Sequence, residues 1–253
     1  MQDRYVGDVG DFGKYALLRA VCGYPSEREP LRLGIIWCLV GDESHNNDGR
    51  HTSYLNSGSR FEHLDPTLFA RLKEMVSQER RNVHEVAAAG LFPNSAMFFD
   101  EYASNASLPA NQRESHRAAW LRSCLVATRH CEMVFLDPDN GMETPSVGKR
   151  SPKAGKYIYW EELDPFVRRE QSMIIYHHLN RTERSETQVD KLGARFRDRL
   201  PRHYSLLGLT FRRGSRRTFW LCLTPRLAET AMGRVTRFLN AGWNAHFEVA
   251  YRE

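Results

Sequence analysis

The chain is sparing with the residues and patterns that mark the commonest function classes. Its 253 residues hold five cysteines, Cys22, Cys38, Cys124, Cys131 and Cys222. They are scattered, form no Cys-x-x-Cys, and several fall in apolar runs. Such thiols read as reduced core residues, which excludes a disulfide framework and a cysteine zinc site. The longest apolar run, residues 33–40, is too short to cross a bilayer. Asp3 and Arg4 interrupt any leader peptide, so the expected location is cytoplasmic, with no membrane partner. There is no Gly-x-x-x-x-Gly-Lys-Ser/Thr phosphate loop, since Tyr15 follows Lys14, and no Gly-x-Ser-x-Gly nucleophile elbow. Neither His-Glu-x-x-His nor an Asp-x-Asp-Gly loop occurs. Internal repeats and low-complexity tracts are also missing.

Two segments stand out against this plain background. Val134–Gly141 reads Val-Phe-Leu-Asp-Pro-Asp-Asn-Gly, an apolar strand stopped by an acid, a proline and turn formers. Ligands of open α/β sheets bind outside the carboxyl ends of the strands, which makes Asp137, Pro138, Asp139 and Asn140 candidate catalytic positions. The alternative is an ordinary strand end followed by turn residues. The other segment, Tyr5–Arg19, puts Gly7, Asp8, Gly10, Asp11 and Gly13 directly before an apolar helix pattern. Glycines there permit close backbone approach, and free N–H groups at a helix start attract anions. Lys14 is expected in the first turn, where a cation opposes the helix dipole and so suggests an anionic or carbonyl partner. The competing expectation is a flexible turn with Asp11 as N-cap.

Strand and helix patterns alternate along the rest of the chain. Strands are predicted over 31–40, 132–137, 172–179, 204–211 and 217–224, and helices over 66–81, 113–129, 160–169, 186–199 and 225–240. The last two strands are joined by Arg-Arg-Gly-Ser-Arg, a hairpin signal. The expected fold is therefore a single α/β domain over 1–253, Rossmann-like, with a mostly parallel sheet and an antiparallel C-terminal hairpin. Residues 145–155, rich in proline, glycine and serine, form a loop placed to close over a substrate.

The net charge is +5, but its distribution is more telling. Arg181 to Arg217 contains ten arginines and Lys191 against four acids. This is the electrostatic footprint of a phosphate-rich partner, RNA or DNA, or else a solvated basic face.

In order and spacing these segments resemble the bacterial 23S rRNA adenine-N6-methyltransferases of the J type, a family of class I S-adenosylmethionine-dependent methyltransferases. The family signature Gly-Asn-His-Ala-Asp-Val-Leu-Lys-His is similar to Gly7–Tyr15 here, with Gly, Asp and Lys in register. Its acidic cofactor loop resembles residues 37–49, its Tyr-Pro-Gly-Ser-Pro resembles Phe92–Ala96, and its Asp-Pro-Pro-Tyr resembles Asp137–Asn140. The two motifs together also resemble those of an uncharacterised bacterial family.

The resemblance implies S-adenosylmethionine as cofactor and methyl transfer to nucleic acid at an exocyclic base amine. Asp137 and the Pro138 carbonyl would accept the two amine N–H bonds, and Asp139 or Asn140 would orient the target. The cofactor would be held by Asp11, Lys14, Asp42, His45, Asn46, Ser95, Asp100 and Glu101. The substrate would meet Arg212, Arg213, Arg216 and Tyr157, with Tyr159 or Trp160 as further candidates for stacking a base. Two departures stand out: Asn140 replaces the family's aromatic, and Val40–Glu43 lacks Gly-x-Gly. The rival readings are a divalent-metal nuclease built on Asp42, Asp48, Asp137, Asp139 and Glu143, with His45, His51, His177 and His178 as imidazoles and Lys14 or Lys149 stabilising the transition state, and a non-catalytic nucleic-acid-binding protein on the same scaffold. His177 and His178 are adjacent in a strand, so their rings face opposite ways and cannot share an ion.

Overall fold

The computed structural model describes residues 1–43, 48–56 and 61–253. Its elements run α1 (Val9–Cys22), β1 (Leu33–Trp37), α2 (Pro66–Ser77), α3 (Val83–Ala88), β2 (Met97–Phe99), α4 (Ala110–Ala127) and β3 (Met133–Asp137). They continue with β4 (Gly141–Met142), β5 (Tyr157–Ile158), α5 (Trp160–Arg168), β6 (Ser172–His178), α6 (Ser185–Arg199), β7 (Ser205–Phe211), β8 (Arg217–Leu223), α7 (Pro225–Asn240) and β9 (Phe247–Arg252).

Seven strands form one sheet in the order β2-β1-β3-β6-β8-β7-β9. β2, β1, β3 and β6 are parallel, while β8 runs antiparallel to both β6 and β7, and β9 antiparallel to β7. The expected α/β architecture with a late hairpin holds. The hairpin is not the edge, however: β9 lies outside it, and β8 inserts between β6 and β7. Period-2 alternation sends Ile35, Phe135, Ile174 and Phe219 to one face, and Ile36, Val134, Ile175 and Trp220 to the other. Helices α1, α2, α3 and α7 contribute to the first apolar layer, and α4, α5 and α6 to the second. All five cysteines are buried, and burial raises each thiol, Cys22 and Cys38 to about 12, so they stay protonated and inert as expected.

The glycines of the N-terminal motif have a packing role. Asp8, not Asp11, is the N-cap of α1; its Oδ1 accepts from Gly10 N at 2.8 Å and its Oδ2 from His51 N at 3.0 Å. The Gly10 N–H is thus taken by the chain itself and is not held out to an anion. Helix α1 starts at Val9, which puts Lys14 in the second turn, one turn later than expected. Gly10 and Gly13 instead leave room for the hairpin: a Cβ on Gly10 would lie 1.2 Å from Arg217 Nη1, and one on Gly13 would lie 2.6 Å from the Phe211 ring.

Gly13 therefore tests this packing. Alanine would gain about 1 kcal/mol of helix propensity, but the Phe211 ring is fully buried and has no space to retreat. Overpacking of this kind costs about 1–3 kcal/mol. Gly13→Ala is expected to lower the urea midpoint; an unchanged or higher midpoint would show that α1 does not press on β7.

Candidate functional site

The parallel strands β3 and β6 end side by side, and the start of α1 and the β7–β8 turn close over them. Between them lies a cleft of about 740 Å³, lined among others by Tyr5, Asp8, Asp11, Lys14, Asp137–Asn140, Tyr176, His178, Arg181, Arg216 and Arg217. That volume is in the range of small-ligand sites. Two segments more than a hundred residues apart in the chain, each singled out by its sequence, thus meet in one cavity.

They meet through a buried ion triad. Lys14 Nζ lies 2.7 Å from Asp11 Oδ1 and 2.8 Å from Asp137 Oδ2, and all three side chains are at most 3% exposed. Tyr15 donates its hydroxyl to Asp11 Oδ2 at 3.2 Å. Burial disfavours the Lys14 charge, but the two carboxylates outweigh it and hold the lysine above its usual value. Burial likewise pushes Asp11 up, to about 6, with Lys14 opposing and Asp137 adding to the shift. Two carboxylates on one ammonium leave the triad with one net negative charge once Asp11 ionises. Lys14 therefore locks α1 to the end of β3 and is not held ready for a ligand.

Asp139 is held differently. Its Oδ2 accepts from Gln2 Nε2 at 2.9 Å and lies 3.1 Å from Lys156 Nζ, which also pairs with Glu43 at 2.6 Å. Burial alone would raise its pKa, but the Met1 nitrogen and Lys156 outweigh it and hold the pKa below the usual carboxylate value, so Asp139 is ionised. Its Oδ1 is buried without a hydrogen-bond partner. Across the cleft, Tyr176 Oη and His178 Nδ1 are 3.3 Å apart. Burial, reinforced by Arg217, lowers His178 and keeps its imidazole neutral. His177 faces the other way under the Gly141 turn, where Nδ1 accepts from Met142 N at 3.1 Å and burial lowers it to about 4. The two rings diverge, as the strand pattern requires.

Other expected residues lie elsewhere. β2 is the sheet edge, so Ser95, Asp100 and Glu101 are remote from the cleft; Asp100 pairs with His84 at 3.0 Å, and the Glu101 carbonyl accepts from Trp120. Asp42 Oδ1 accepts from Arg4 N, and His45 and Asn46 fall outside the described residues. Tyr157 sits in β5 behind the Asn140 turn, its carbonyl bound by Arg117. Tyr159 and Trp160 are buried, Trp160 against Phe196 at 4.8 Å, so none of the three offers a ring to the cleft. Its aromatic walls are Tyr5 and Tyr176.

The basic run also disperses. Arg212 pairs with Glu248, Arg213 bonds His246, Arg197 caps the carbonyls of Tyr204 and Pro201, and Arg195 stacks on Trp160. Arg181, Arg216 and Arg217 remain at the cleft. Sequence reading assigned no site role to Tyr5 or Tyr176, offered His178 only as an imidazole of the metal reading, and placed Arg217 only within the basic run. For Tyr176 and His178 the signal was present, since both close a predicted parallel strand.

Among the described residues no three His, Cys, Asp or Glu side chains converge as metal ligands. The acids named for the nuclease reading are instead spent one by one: Asp137 on Lys14, Asp139 on Lys156, and Glu143 on the Trp160 N–H. No helix among the described residues is long and apolar enough to cross a membrane. Comparison with protein-family models, curated proteins and solved structures returns no match.

Two outcomes follow from the triad. Lys14→Met leaves two buried carboxylates facing each other and is expected to destabilise the protein by about 3–5 kcal/mol, the cost of breaking a buried pair; a loss below about 1 kcal/mol in denaturant titrations would dissolve the triad. For Asp11 the folded state favours the protonated form, so its contribution to stability is present below the ordinary value of 3.8 and is lost as pH rises through about 6. Asn mimics the protonated acid. The stability of Asp11→Asn relative to the parent should therefore rise by about 3 kcal/mol between about pH 4 and 7. A flat difference across that range would show that Asp11 titrates normally.

Proposed function

We propose that this chain is a class I methyltransferase-type protein that uses S-adenosylmethionine to methylate nucleic acid at an exocyclic base amine. The observation that carries the reading is the end of β3. Asp137-Pro138-Asp139-Asn140 forms the floor of a cleft at the carboxyl edge of a parallel sheet. The sheet is compatible with it: four parallel strands followed by an antiparallel hairpin is the architecture that the resemblance implies.

The cleft residues fit a cationic, amino-acid-bearing cofactor in part. The triad's net negative charge suits a sulfonium, and the unpartnered Asp139 Oδ1 suits an ammonium or a ribose hydroxyl as donor. When bound, the cofactor supplies an electrophilic methyl group. The chain's task is then to present the amine. Asp137 Oδ2 is fixed by Lys14, which leaves Oδ1 and the Pro138 carbonyl as acceptors for the two N–H bonds and draws electron density back to nitrogen. Lys14 keeps the carboxylate rotamer fixed. Tyr176 offers a ring face for the base, and the neutral His178 stands beside it as a proton acceptor.

One observation favours the second reading, a non-catalytic binding protein on the same scaffold. Met1 and Gln2 are buried where β1 and β3 diverge, the Met1 nitrogen donating to the carbonyls of Cys38 (2.9 Å) and Asp137 (3.2 Å). This is the crevice where ligands of open α/β sheets usually lie, and the expected ribose acids Asp100 and Glu101 are not near the cleft.

Calorimetric titration with S-adenosylmethionine separates the readings, followed by transfer of labelled methyl groups to total RNA and DNA. Micromolar binding and transfer, with Asp137→Asn folded, still binding the cofactor and at least a hundredfold slower, is the expected result. No binding heat and no transfer would leave the binding-protein reading in place.

A further inference from the structure

Four cationic side chains are buried to less than a tenth exposed among the described residues: Lys14, Arg19, Arg117 and Arg217. Buried charges are paired, because an isolated charge out of water is very costly. Lys14 has Asp11 and Asp137, Arg19 has Asp65 at 2.8 Å, and Arg117 has Glu162 at 2.8 Å. Arg217 is the exception. It is 7% exposed and has no carboxylate within 4.0 Å among the described residues. The two segments outside the described residues, 44–47 and 57–60, contain no acid that could supply one.

Its position is nevertheless built. Nε donates to the Ser215 carbonyl at 3.1 Å and Nη2 to Ser215 Oγ at 2.8 Å. The guanidinium carbon stands 5.9 Å from the Phe211 ring centroid. Nη1 rests on the bare face of Gly10 and makes no hydrogen bond. A guanidinium held on three sides and lacking a counter-ion lines the cleft, beside Arg216 and Arg181. Arg216 reaches only an exposed Glu186 at 3.5 Å, and Arg181 makes no ion pair. The other acids of the cleft are already engaged: Asp8 caps α1 beside Gly10, Asp11 and Asp137 hold Lys14, Asp139 holds Lys156, and Asp48 has a contact of its own.

We infer that Arg217, with Arg216 and Arg181, forms an oxyanion subsite that takes a backbone phosphate of the polynucleotide bound in the cleft. The phosphate supplies the counter-ion that the fold withholds, and Gly10 is glycine so that Nη1 can reach this position. The subsite rests on the nucleic-acid part of the proposed function and is independent of methyl transfer. A second oxyanion source, the carboxylate of an amino-acid-bearing cofactor, has the same chemistry and is separated by the test.

The experiment measures thermal stabilisation by inorganic phosphate, binding of a labelled single-stranded RNA oligonucleotide over a salt series, and calorimetric binding of S-adenosylmethionine. It compares the full chain with Arg217→Gln and, because Arg181 is exposed and safe for folding, with Arg181→Gln. Phosphate should stabilise the parent. Arg217→Gln should lose that response, bind RNA about tenfold more weakly, and show a salt slope lower by about one. The unliganded melting temperature should not fall, because the substitution removes an uncompensated buried charge; a purely structural arginine would lower it. Arg181→Gln should weaken RNA binding in the same direction by less. Phosphate and RNA binding unchanged in both variants overturns the subsite. A loss confined to S-adenosylmethionine assigns the oxyanion to the cofactor and overturns the phosphate. Phosphate binding without RNA binding by the parent keeps the oxyanion site and overturns the polynucleotide.

Discussion

One buried ammonium holds the site together. Lys14 joins two carboxylates from segments far apart in the chain, and without it Asp11 and Asp137 would repel across a dry interface. Everything that defines the cleft is referred to this contact. It fixes how deep α1 sits on the sheet, hence where Gly10 and Gly13 meet the β7–β8 hairpin, hence where Arg217 and the far wall stand. It also fixes the rotamer of the one acid that ends β3. Such a network is weak evidence for stability, since a well-packed apolar replacement can do as well. Its place at the carboxyl edge of a parallel sheet, next to a cleft, argues that position and charge are what it serves.

The cleft is bipolar because of how its charges are compensated. At the β3 end, acids outnumber the cations that hold them, and Asp139 keeps one oxygen without a donor. At the hairpin end, arginines outnumber acids, and Arg217 has the acceptors of Ser215 but no carboxylate among the described residues. A folded chain that leaves one buried carboxylate oxygen without a donor and one buried guanidinium without a carboxylate in the same cavity carries desolvation penalties at both. These two groups do not cancel each other by pairing, so a ligand with a donor edge and an anionic group relieves both at once. A nucleotide unit has that shape. The complementarity is independent of whether a methyl group is transferred, which is why the binding and catalytic readings share one cavity and differ in the crevice that Met1 and Gln2 fill.

The strands with long apolar runs were legible from sequence, as were the hairpin and the helix over 225–240, because their burial pattern is local and periodic. β9 and β2 were not. β9 alternates Phe-Glu-Val-Ala-Tyr-Arg but directly follows the short turn at Trp243, and β2 is three residues long at a sheet edge. The Asp137 turn and the Lys14 helix stood out as candidates by their residue pattern, and the structure brings them together. What could not be read was the partner of each charge. The motif glycines suggested room for a ligand, whereas the atoms they admit belong to Phe211 and Arg217, two hundred residues on. Likewise a run of ten arginines looked like one surface, and the fold sends most of them to helix ends, β9 and Trp160.

Exposure and partner, not residue type, therefore decide which arginines bear on function. Arg197 satisfies helix-end carbonyls and Arg212 meets Glu248; both are explained by the chain itself. Arg117 is as buried as any, yet Glu162 neutralises it, and together they pin the segment that leads into α5. Arg217 differs from these in one respect: its geometry is specified by Ser215, Phe211 and Gly10, while its charge is answered by nothing. Geometry without compensation is what preorganisation for an anion requires, because a guanidinium already paired would have to be freed before it could bind. The carboxylates meet the same criterion only in part: Asp139 is charge-paired with Lys156, yet it keeps one buried oxygen without a donor, and it lines the cleft.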